Sequence, residues 1–156
     1  MKPNYKLLLF CIAIPLLAGG LSASLTANTM EAFQQLTKPP LTPPGFLFPI
    51  VWTILYTLMG IASYLIVTSD ANKDDIQTAL VSYGLQLIVN ILWPIFFFRF
   101  NWYLFAFFVI LLLWLFILRT IRLFFAISKP AAYLMIPYLL WVTFAAYLNA
   151  GFVVLN

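Results

Sequence analysis

Residues 38–64 read KPPLTPPGFLFPIVWTILYTLMGIASY. This stretch begins with a group of four prolines, Pro39, Pro40, Pro43 and Pro44. Each proline fixes its own φ and pushes the residue before it toward an extended backbone. An uncharged segment rich in aromatic residues follows and continues through Tyr64. The order predicts a stiff connection that leads into an apolar helix, with the last prolines in the first turn of that helix.

Composition places the whole chain in a membrane. Of its 156 residues, 65% are hydrophobic and only 8% are charged, whereas a soluble domain carries about 25% charged residues. Because such a small number of charges cannot solvate a globular surface, lipid must surround most of the molecule. We therefore expect one membrane domain over residues 1–156.

Apolar runs predict an all-α membrane protein, a bundle of five transmembrane helices with a structured loop between the first and second spans. The predicted spans are residues 5–27, 44–67, 76–98, 102–119 and 130–154. In the first span Gly19 and Ala23 lie four residues apart, a spacing that lets a neighbouring helix approach closely. We expect the fourth span, which is nearly all Leu, Ile, Phe and Val, to be the most exposed to lipid. Its Trp114 would then face lipid or a partner subunit.

The basic residues predict the orientation in the cell membrane, because cytoplasmic loops carry an excess of Lys and Arg. Six of the eight fall on the side of the amino terminus and two on the other. We therefore predict a cytoplasmic amino terminus, with the loop between the first two spans and the carboxyl terminus outside. The two groups are Lys2, Lys6, Lys73, Arg119, Arg122 and Lys129 on the first side and Lys38 and Arg99 on the second. Topology explains this positive charge, so we expect no nucleic-acid partner.

The residue inventory argues against the usual kinds of catalysis. The chain has no histidine and a single cysteine, Cys11, and none of its four acidic residues lies in a predicted span. This rules out an internal disulfide and most zinc or haem ligand sets, so we predict no metal site. Hydrolysis and phosphoryl transfer are also poorly supported.

Aromatic and amide side chains are the groups that remain. Trp52 and Tyr56 share a helix face, as do Gln86 and Asn90, because each pair is four residues apart. Amides at membrane depth normally point into a bundle. Flat aromatic walls with a few polar groups would suit a planar ligand. Bundle packing and an aromatic belt at the membrane interface are the alternatives.

With these residues in view, the chain resembles the translocator protein family, also called the tryptophan-rich sensory protein or TspO/MBR family. The resemblance rests on three motifs in the same order and spacing: residues 38–60, residues 86–97 (QLIVNILWPIFF) and residues 131–149 (AAYLMIPYLLWVTFAAYLN). It implies a five-helix membrane protein, commonly a homodimer, with a ligand cavity under the loop between the first two spans. Ligands of the family include protoporphyrin IX, isoquinolines, benzodiazepines and, in animal members, cholesterol.

The resemblance also implies particular site residues. The four prolines would form a lid over the cavity. Trp52 and Trp141 would act in porphyrin chemistry if the protein degrades porphyrin. No cofactor is required, and the porphyrin would be ligand or substrate. The implied ligand-binding residues are Trp52, Tyr56, Asn90, Trp93, Trp102, Trp141, Ala145 and Leu148. The aromatic pattern of the fifth span adds Tyr138 to this predicted set.

We therefore expect a tetrapyrrole-binding protein that acts as a sensor, regulator or carrier and whose aromatic cavity also accepts isoquinoline or benzodiazepine ligands. The alternatives are a light-dependent porphyrin-degrading enzyme and a passive porphyrin transporter. The sequence departs from the family at Leu41 and Phe46, where many members have tryptophan. No basic residue follows Tyr147, so the sterol-type pattern is absent and we do not expect sterol binding.

Overall fold

The computed structural model describes residues 2–156. The helices are α1 Tyr5–Leu25, α2 Met30–Gln34, α3 Leu47–Val67, α4 Lys73–Pro94, α5 Tyr103–Ile127 and α6 Lys129–Leu155. A π-helical turn, Ile95–Arg99, extends α4. Five helices are long and apolar enough to cross a membrane, namely all but the short α2, and α4 is counted with its π-helical turn. This confirms the predicted all-α bundle of five spans.

The five long helices pack in a ring. α1 contacts α3, α3 contacts α6, α6 contacts α5, α5 contacts α4, and α4 returns to α1. Fully buried apolar side chains such as Met59, Ile66, Ile117 and Met135 fill the interior of the bundle. The candidate site described below lies between four of these helices, α1, α3, α4 and α6.

The loop between α1 and α3 is structured, as predicted, and it contains α2. Phe33 of α2 is buried in a small cluster with Phe97, Leu148 and Phe152. Its ring centroid lies 5.4 Å from that of Phe152. This packing fixes the loop to one end of the bundle.

Side-chain caps mark the amino ends of three helices, α1, α4 and α6. Asn72 Oδ1 accepts a hydrogen bond from the Asp75 backbone N–H at 2.8 Å. α4 therefore begins at Lys73, three residues before the predicted start. Asp74 and Asp75 lie in its first turn, where negative charge favours the helix dipole. Asn4 caps α1 in the same way, with Oδ1 3.1 Å from the Leu7 backbone nitrogen.

The first two predicted spans are slightly too long. α1 ends at Leu25 because the chain turns at Asn28, whose φ of 66° lies in the left-handed region. The Arg99 guanidinium donates to the Leu25 and Ala27 carbonyls at 3.0 and 2.9 Å. α3 begins at Leu47, and all four prolines lie before it.

The predicted end of the fourth span was wrong. α5 continues to Ile127, so Arg119 and Arg122 lie within the helix and only Ser128 separates it from α6. Arginine is a good helix former, and its long side chain lets the charge reach the membrane surface. Phe124 is completely buried, which anchors the extra turns in the bundle.

The expectation that the fourth span is the most exposed to lipid was also wrong. In the most apolar 18-residue window of each helix, 17% of residues are buried in α1 and 28% in α5. α1 is therefore the more exposed helix, because it packs mainly against α3, whereas α5 packs closely against both α4 and α6. Trp114 is half-buried against α6, where its Nε1 donates to Thr143 Oγ1 at 2.8 Å.

Candidate ligand-binding site

A cavity of about 440 Å³ lies between α1, α3, α4 and α6. Most of its wall is apolar, and three of the five tryptophans contribute to it. Its lining residues are Leu16, Gly19, Gly20, Ser22, Ala23, Thr26, Met30, Phe48, Pro49, Trp52, Thr53, Tyr56, Asn90, Trp93, Pro94, Phe98, Trp141 and Ala145. Small-ligand sites typically enclose about 300–1,000 Å³ with mainly apolar walls and a few polar groups.

The α3 wall is a pair of stacked rings. Trp52 and Tyr56 are one helical turn apart, their centroids 5.3 Å apart and their planes 29° from parallel. Tyr138 of α6 meets Trp52 edge-on at 6.1 Å and 72°. The edge contact and the stacking together hold the indole of Trp52 in one orientation.

The α6 wall combines a large and a small residue. Trp141 and Ala145 are four residues apart and both line the cavity. Phe48, near the start of α3, meets Trp141 edge-on with centroids 6.1 Å apart. The small side chain of Ala145 leaves space beside the indole for a flat ligand.

The α4 wall presents Asn90 and Trp93. Trp93 Nε1 donates to Asn149 Oδ1 at 2.9 Å, and Asn149 Nδ2 donates to the Tyr103 carbonyl at 2.9 Å. The indole N–H of Trp93 is therefore already used within the protein. A ligand can therefore contact the aromatic ring of Trp93 but not its N–H group.

The polar end of the cavity is a continuous chain of hydrogen bonds. Tyr56 Oη donates to Asn90 Oδ1 at 2.6 Å, and Asn90 Nδ2 donates to Tyr138 Oη at 2.7 Å. Tyr138 Oη donates to Gln86 Oε1 at 2.6 Å, and Gln86 Nε2 lies 3.9 Å from Met59 Sδ. Gln86 and Asn90 therefore point into the bundle, as predicted, and each finds the partner that a buried amide requires.

Sequence similarity to known proteins identifies the family of this chain. A sequence model of the TspO/MBR family matches residues 11–155. The chain belongs to the TspO/MBR family. It is 37% identical to the tryptophan-rich protein TspO of Chlorobaculum tepidum, over 100% of this chain and 99% of that protein. It is 34% identical to the tryptophan-rich protein TspO of Archaeoglobus fulgidus, over 92% and 93% of the two chains. It is also 34% identical to the translocator protein of Bos taurus, over 87% and 82%.

Membership of the TspO/MBR family confirms the resemblance drawn from the sequence. Together with the five apolar helices, it makes this chain a multi-pass membrane protein.

Of the nine predicted ligand-binding residues, the structure brings six together around the cavity. These are Trp52, Tyr56, Asn90, Trp93, Trp141 and Ala145. They come from α3, α4 and α6, three separate parts of the sequence. Both tryptophans proposed for porphyrin chemistry are among them.

The other three lie elsewhere. Tyr138 is fully buried behind the cavity wall, where it contacts the lining residues Asn90 and Trp52. Leu148 belongs to the separate cluster around Phe33 and Phe97. Trp102 is 53% exposed and stacks on Phe96, with centroids 5.9 Å apart.

None of the four loop prolines lines the cavity. Pro39 packs against Gly151, where an added methyl group would come within 2.7 Å of its Cγ. The Pro40 carbonyl accepts a hydrogen bond from Tyr147 Oη at 2.8 Å. Pro43 and Pro44 line a separate recess under the loop, which shares only Met30 with the cavity. Pro39 and Pro40 therefore attach the loop to α6. The residues that line the cavity at the loop end are Thr26, Met30, Phe48 and Pro49.

Sequence reasoning missed several cavity residues, chiefly on α1 and at the start of α3. Phe48 and Met30 could not be found by helical spacing because each lies close to a loop. Gly19 was predicted only as a packing residue, yet it lines the cavity and contacts the Tyr56 ring. The α1 residues carry no aromatic or amide signal that would mark them as part of a site.

Proposed function

We propose that this member of the TspO/MBR family binds a tetrapyrrole, protoporphyrin IX, in the cavity between α1, α3, α4 and α6. In this role it acts as a sensor, regulator or carrier in the cell membrane. The observation that carries the proposal is the placement of three indoles, Trp52, Trp93 and Trp141, around one apolar space of about 440 Å³. Isoquinoline and benzodiazepine ligands, which also carry flat aromatic rings, would compete for the same space.

Stacking supplies the affinity for such a ligand. A flat conjugated ring gains dispersion contacts against the indole faces and leaves water or lipid at the same time. The cavity carries no charged side chain among its lining residues. Recognition of the ring system therefore depends on shape, aromatic faces and the few polar groups at Tyr56 and Asn90.

The binding proposal is tested by titrating the protein in nanodiscs with protoporphyrin IX and following tryptophan fluorescence. The double variant Trp52→Phe/Trp141→Phe should weaken binding by about tenfold or more, because two stacking faces are reduced. The matched control is Trp102→Phe/Trp114→Phe, which removes two indoles outside the cavity and should leave the affinity within about twofold. Equal weakening in both double variants, or no saturable quenching of the wild type, would reject the proposal.

A second candidate function is light-dependent oxidative degradation of the porphyrin. It is favoured because Trp52 and Trp141 line the same cavity, so a bound porphyrin would lie beside both indoles. Light and molecular oxygen are the co-reactants, with oxygen as the oxidant, and no acid–base residue is needed. Loss of the porphyrin absorption band in light, compared between wild type and the Trp52→Phe/Trp141→Phe variant at saturating porphyrin, tests it. If the porphyrin band is lost equally fast with wild type and the variant, or with free tryptophan in place of the protein, the degradation is not catalysed by the cavity.

We also propose a cytoplasmic amino terminus and a homodimer. Positive charge supports the orientation, because Lys2, Lys6, Lys73 and Lys129 lie at one end of the helices, together with the last turns of α5. Labelling of single cysteines placed at residue 3 and at residue 42, in a background that lacks Cys11, tests the orientation in intact cells. Mass measurement of nanodisc-embedded protein tests the homodimer, which rests on family resemblance.

A further inference from the structure

The hydrogen-bond chain behind the cavity has a defined direction. We propose that Met59, Gln86 and Tyr138 act as positioning residues that fix this direction and thereby make the polar end of the cavity accept hydrogen bonds. The site then selects planar ligands that carry an N–H or O–H donor. This inference rests on the proposed function, because it concerns specificity at the same cavity.

The direction is set at Met59, at the end of the chain farthest from the cavity. A thioether sulfur can accept a hydrogen bond but has no proton to donate. Gln86 Nε2 lies 3.9 Å from Met59 Sδ, and both side chains are completely buried. The amide nitrogen of Gln86 therefore faces the sulfur. The opposite orientation would place an amide oxygen against another acceptor, with no water to separate them.

The orientation of Gln86 determines what Tyr138 does. Gln86 Oε1 must face Tyr138 Oη, which donates its single proton to that oxygen at 2.6 Å. Having used this proton, Tyr138 Oη can only accept from its other neighbour. Asn90 Nδ2 is that neighbour, at 2.7 Å. Tyr138 has no measurable exposure, so bulk water cannot offer it another partner.

The orientation of the Asn90 amide extends the direction of the hydrogen-bond chain to the cavity wall. Because its amide nitrogen faces Tyr138, its Oδ1 faces Tyr56 and accepts the Tyr56 hydroxyl proton at 2.6 Å. Tyr56 and Asn90 both line the cavity. The Tyr56 oxygen therefore has lone pairs left for a ligand, but no proton.

The other hydroxyl groups around the cavity are used in the same way. Thr53 Oγ1 donates to the Pro49 carbonyl at 2.6 Å, and Thr26 Oγ1 donates to the Ser22 carbonyl at 3.0 Å. Ser22 Oγ donates to the Ile91 carbonyl at 3.4 Å. Every lining hydroxyl thus donates its proton within the protein, so at Tyr56 a donor on the ligand meets an acceptor and an acceptor on the ligand meets no hydroxyl proton. The indole N–H groups of Trp52 and Trp141 also lie in the lining, but they do not depend on the direction of the chain, so the test compares selectivity between variants.

The reverse direction is the state that the positioning residues prevent. In that state Gln86 Nε2 would donate to Tyr138, Tyr138 to Asn90 Oδ1, and Asn90 Nδ2 to Tyr56. The Tyr56 proton would then be free to point into the cavity. Without the Met59 sulfur or the Tyr138 hydroxyl, the hydrogen-bond chain no longer has one favoured direction. The preference of the cavity for donor-bearing ligands should therefore fall, even though neither residue lines the cavity.

The test uses two probes of nearly the same shape. Carbazole carries a ring N–H donor, whereas dibenzofuran has a weakly accepting oxygen at that position. Displacement of bound protoporphyrin IX is measured in nanodiscs, with empty nanodiscs as the control for partitioning into lipid. Wild type should bind carbazole about five- to tenfold more tightly than dibenzofuran, the range that one hydrogen bond gives. Tyr56→Phe should bring the ratio near one.

The decisive variants are Met59→Leu and Tyr138→Phe, both conservative in volume. Each should lower the carbazole-to-dibenzofuran ratio by about threefold or more while porphyrin affinity changes less. Tyr83→Phe is the matched control, because Tyr83 is buried on α4 and its hydroxyl has no partner among the described residues; it should keep the wild-type ratio. A thermal melt of each variant confirms that it is folded.

The outcomes separate the two proposals. If protoporphyrin IX does not bind at all, the proposed function fails and this inference falls with it. If the porphyrin binds but the wild-type ratio is near one, or neither probe displaces it, the inference alone is overturned. An unchanged ratio in both Met59→Leu and Tyr138→Phe also overturns it, since the direction would then be set elsewhere.

Discussion

Gly19 of α1 lies directly against the ring of Tyr56 in α3, so closely that a single added methyl group would overlap the ring. Tyr56 is held on its other sides by the stacked indole of Trp52 and by the hydrogen bond to Asn90. The glycine therefore allows α1 to close the cavity without displacing the group at its polar end. This contact links the packing of the most exposed helix to the geometry of the site.

Gly19→Ala should accordingly damage the site more than the fold. The methyl group must push the Tyr56 ring, which lengthens or breaks its hydrogen bond to Asn90 and disturbs the stacking with Trp52. We expect protoporphyrin IX affinity to fall by about tenfold, in line with the loss of one well-placed interaction. Gly84 of α4 is the matched control, because it does not line the cavity and nothing lies within 4 Å of a methyl group added there. Similar binding by Gly19→Ala and Gly84→Ala would show that the close contact is unimportant.

Gly60→Ala should damage the fold. Gly60 is in α3, and an added methyl group would overlap the α1 backbone at Ile12 and come within 2.8 Å of the Cys11 carbonyl oxygen. Backbone cannot rotate away as a side chain can, so α1 and α3 must separate. We expect a loss of about 1–3 kcal/mol in unfolding free energy, the usual cost of overpacking. Thermal unfolding in nanodiscs measures it, and a melting temperature equal to that of wild type would refute the expectation.

Loss of the hydroxyl group should change the unfolding free energy differently at two buried tyrosines, Tyr138 and Tyr83. Tyr138 Oη accepts a hydrogen bond from Asn90 and donates one to Gln86. Tyr138→Phe leaves both amides without that partner, so the unfolding free energy should fall by about 1–3 kcal/mol. Tyr83 Oη is buried with no partner among residues 2–156. Tyr83→Phe removes an uncompensated polar atom and should be neutral or stabilising by up to about 1 kcal/mol. Chemical denaturation of both variants decides this, and equal destabilisation would contradict the assignment of partners.

Asn156 should control the mobility of the proline loop. Its Oδ1 accepts from the Thr37 backbone N–H at 3.0 Å, and its Nδ2 donates to the Thr37 carbonyl at 2.9 Å. Asn156→Ala removes both bonds, so hydrogen exchange at the Thr37 amide should accelerate by about tenfold. The Leu7 amide, which is bonded to Asn4 at the other end of the bundle, should exchange as in wild type. No change at Thr37 would mean that other contacts hold the loop.

Much of the fold could be predicted because lipid imposes simple rules. Length and hydropathy alone identify the five spans, and the cost of burying an amide in lipid explains why Gln86 and Asn90 turn inward. The end of α5 was missed because Arg119 and Arg122 suggest a loop, whereas the buried ring of Phe124 keeps the helix intact. Charge is a weak signal for a helix end when long side chains can reach the membrane surface.

The cavity could be predicted only in outline. Helical spacing places Tyr138, Trp141 and Ala145 on similar faces of α6, but it cannot tell a residue that lines a cavity from one hidden behind a hydrogen bond. Trp102 was implied by the family resemblance and not by helical spacing, and in the structure it lies outside the cavity, after the π-helical turn that extends α4. Such turns leave no reliable trace in the spacing of apolar residues.

Mapping of photo-oxidised tryptophans tests the central claim, that a planar porphyrin binds among the indoles of the cavity, most directly. The protein in nanodiscs is saturated with protoporphyrin IX, illuminated briefly in air, digested and analysed by mass spectrometry for oxygen added to each tryptophan. Oxidation is fastest near the bound sensitiser, so Trp52 and Trp141 should be modified several times faster than Trp102, although Trp102 is 53% exposed. Fastest modification of Trp102, with Trp52 and Trp141 protected, would contradict the account, because oxidation would then follow exposure to the surroundings.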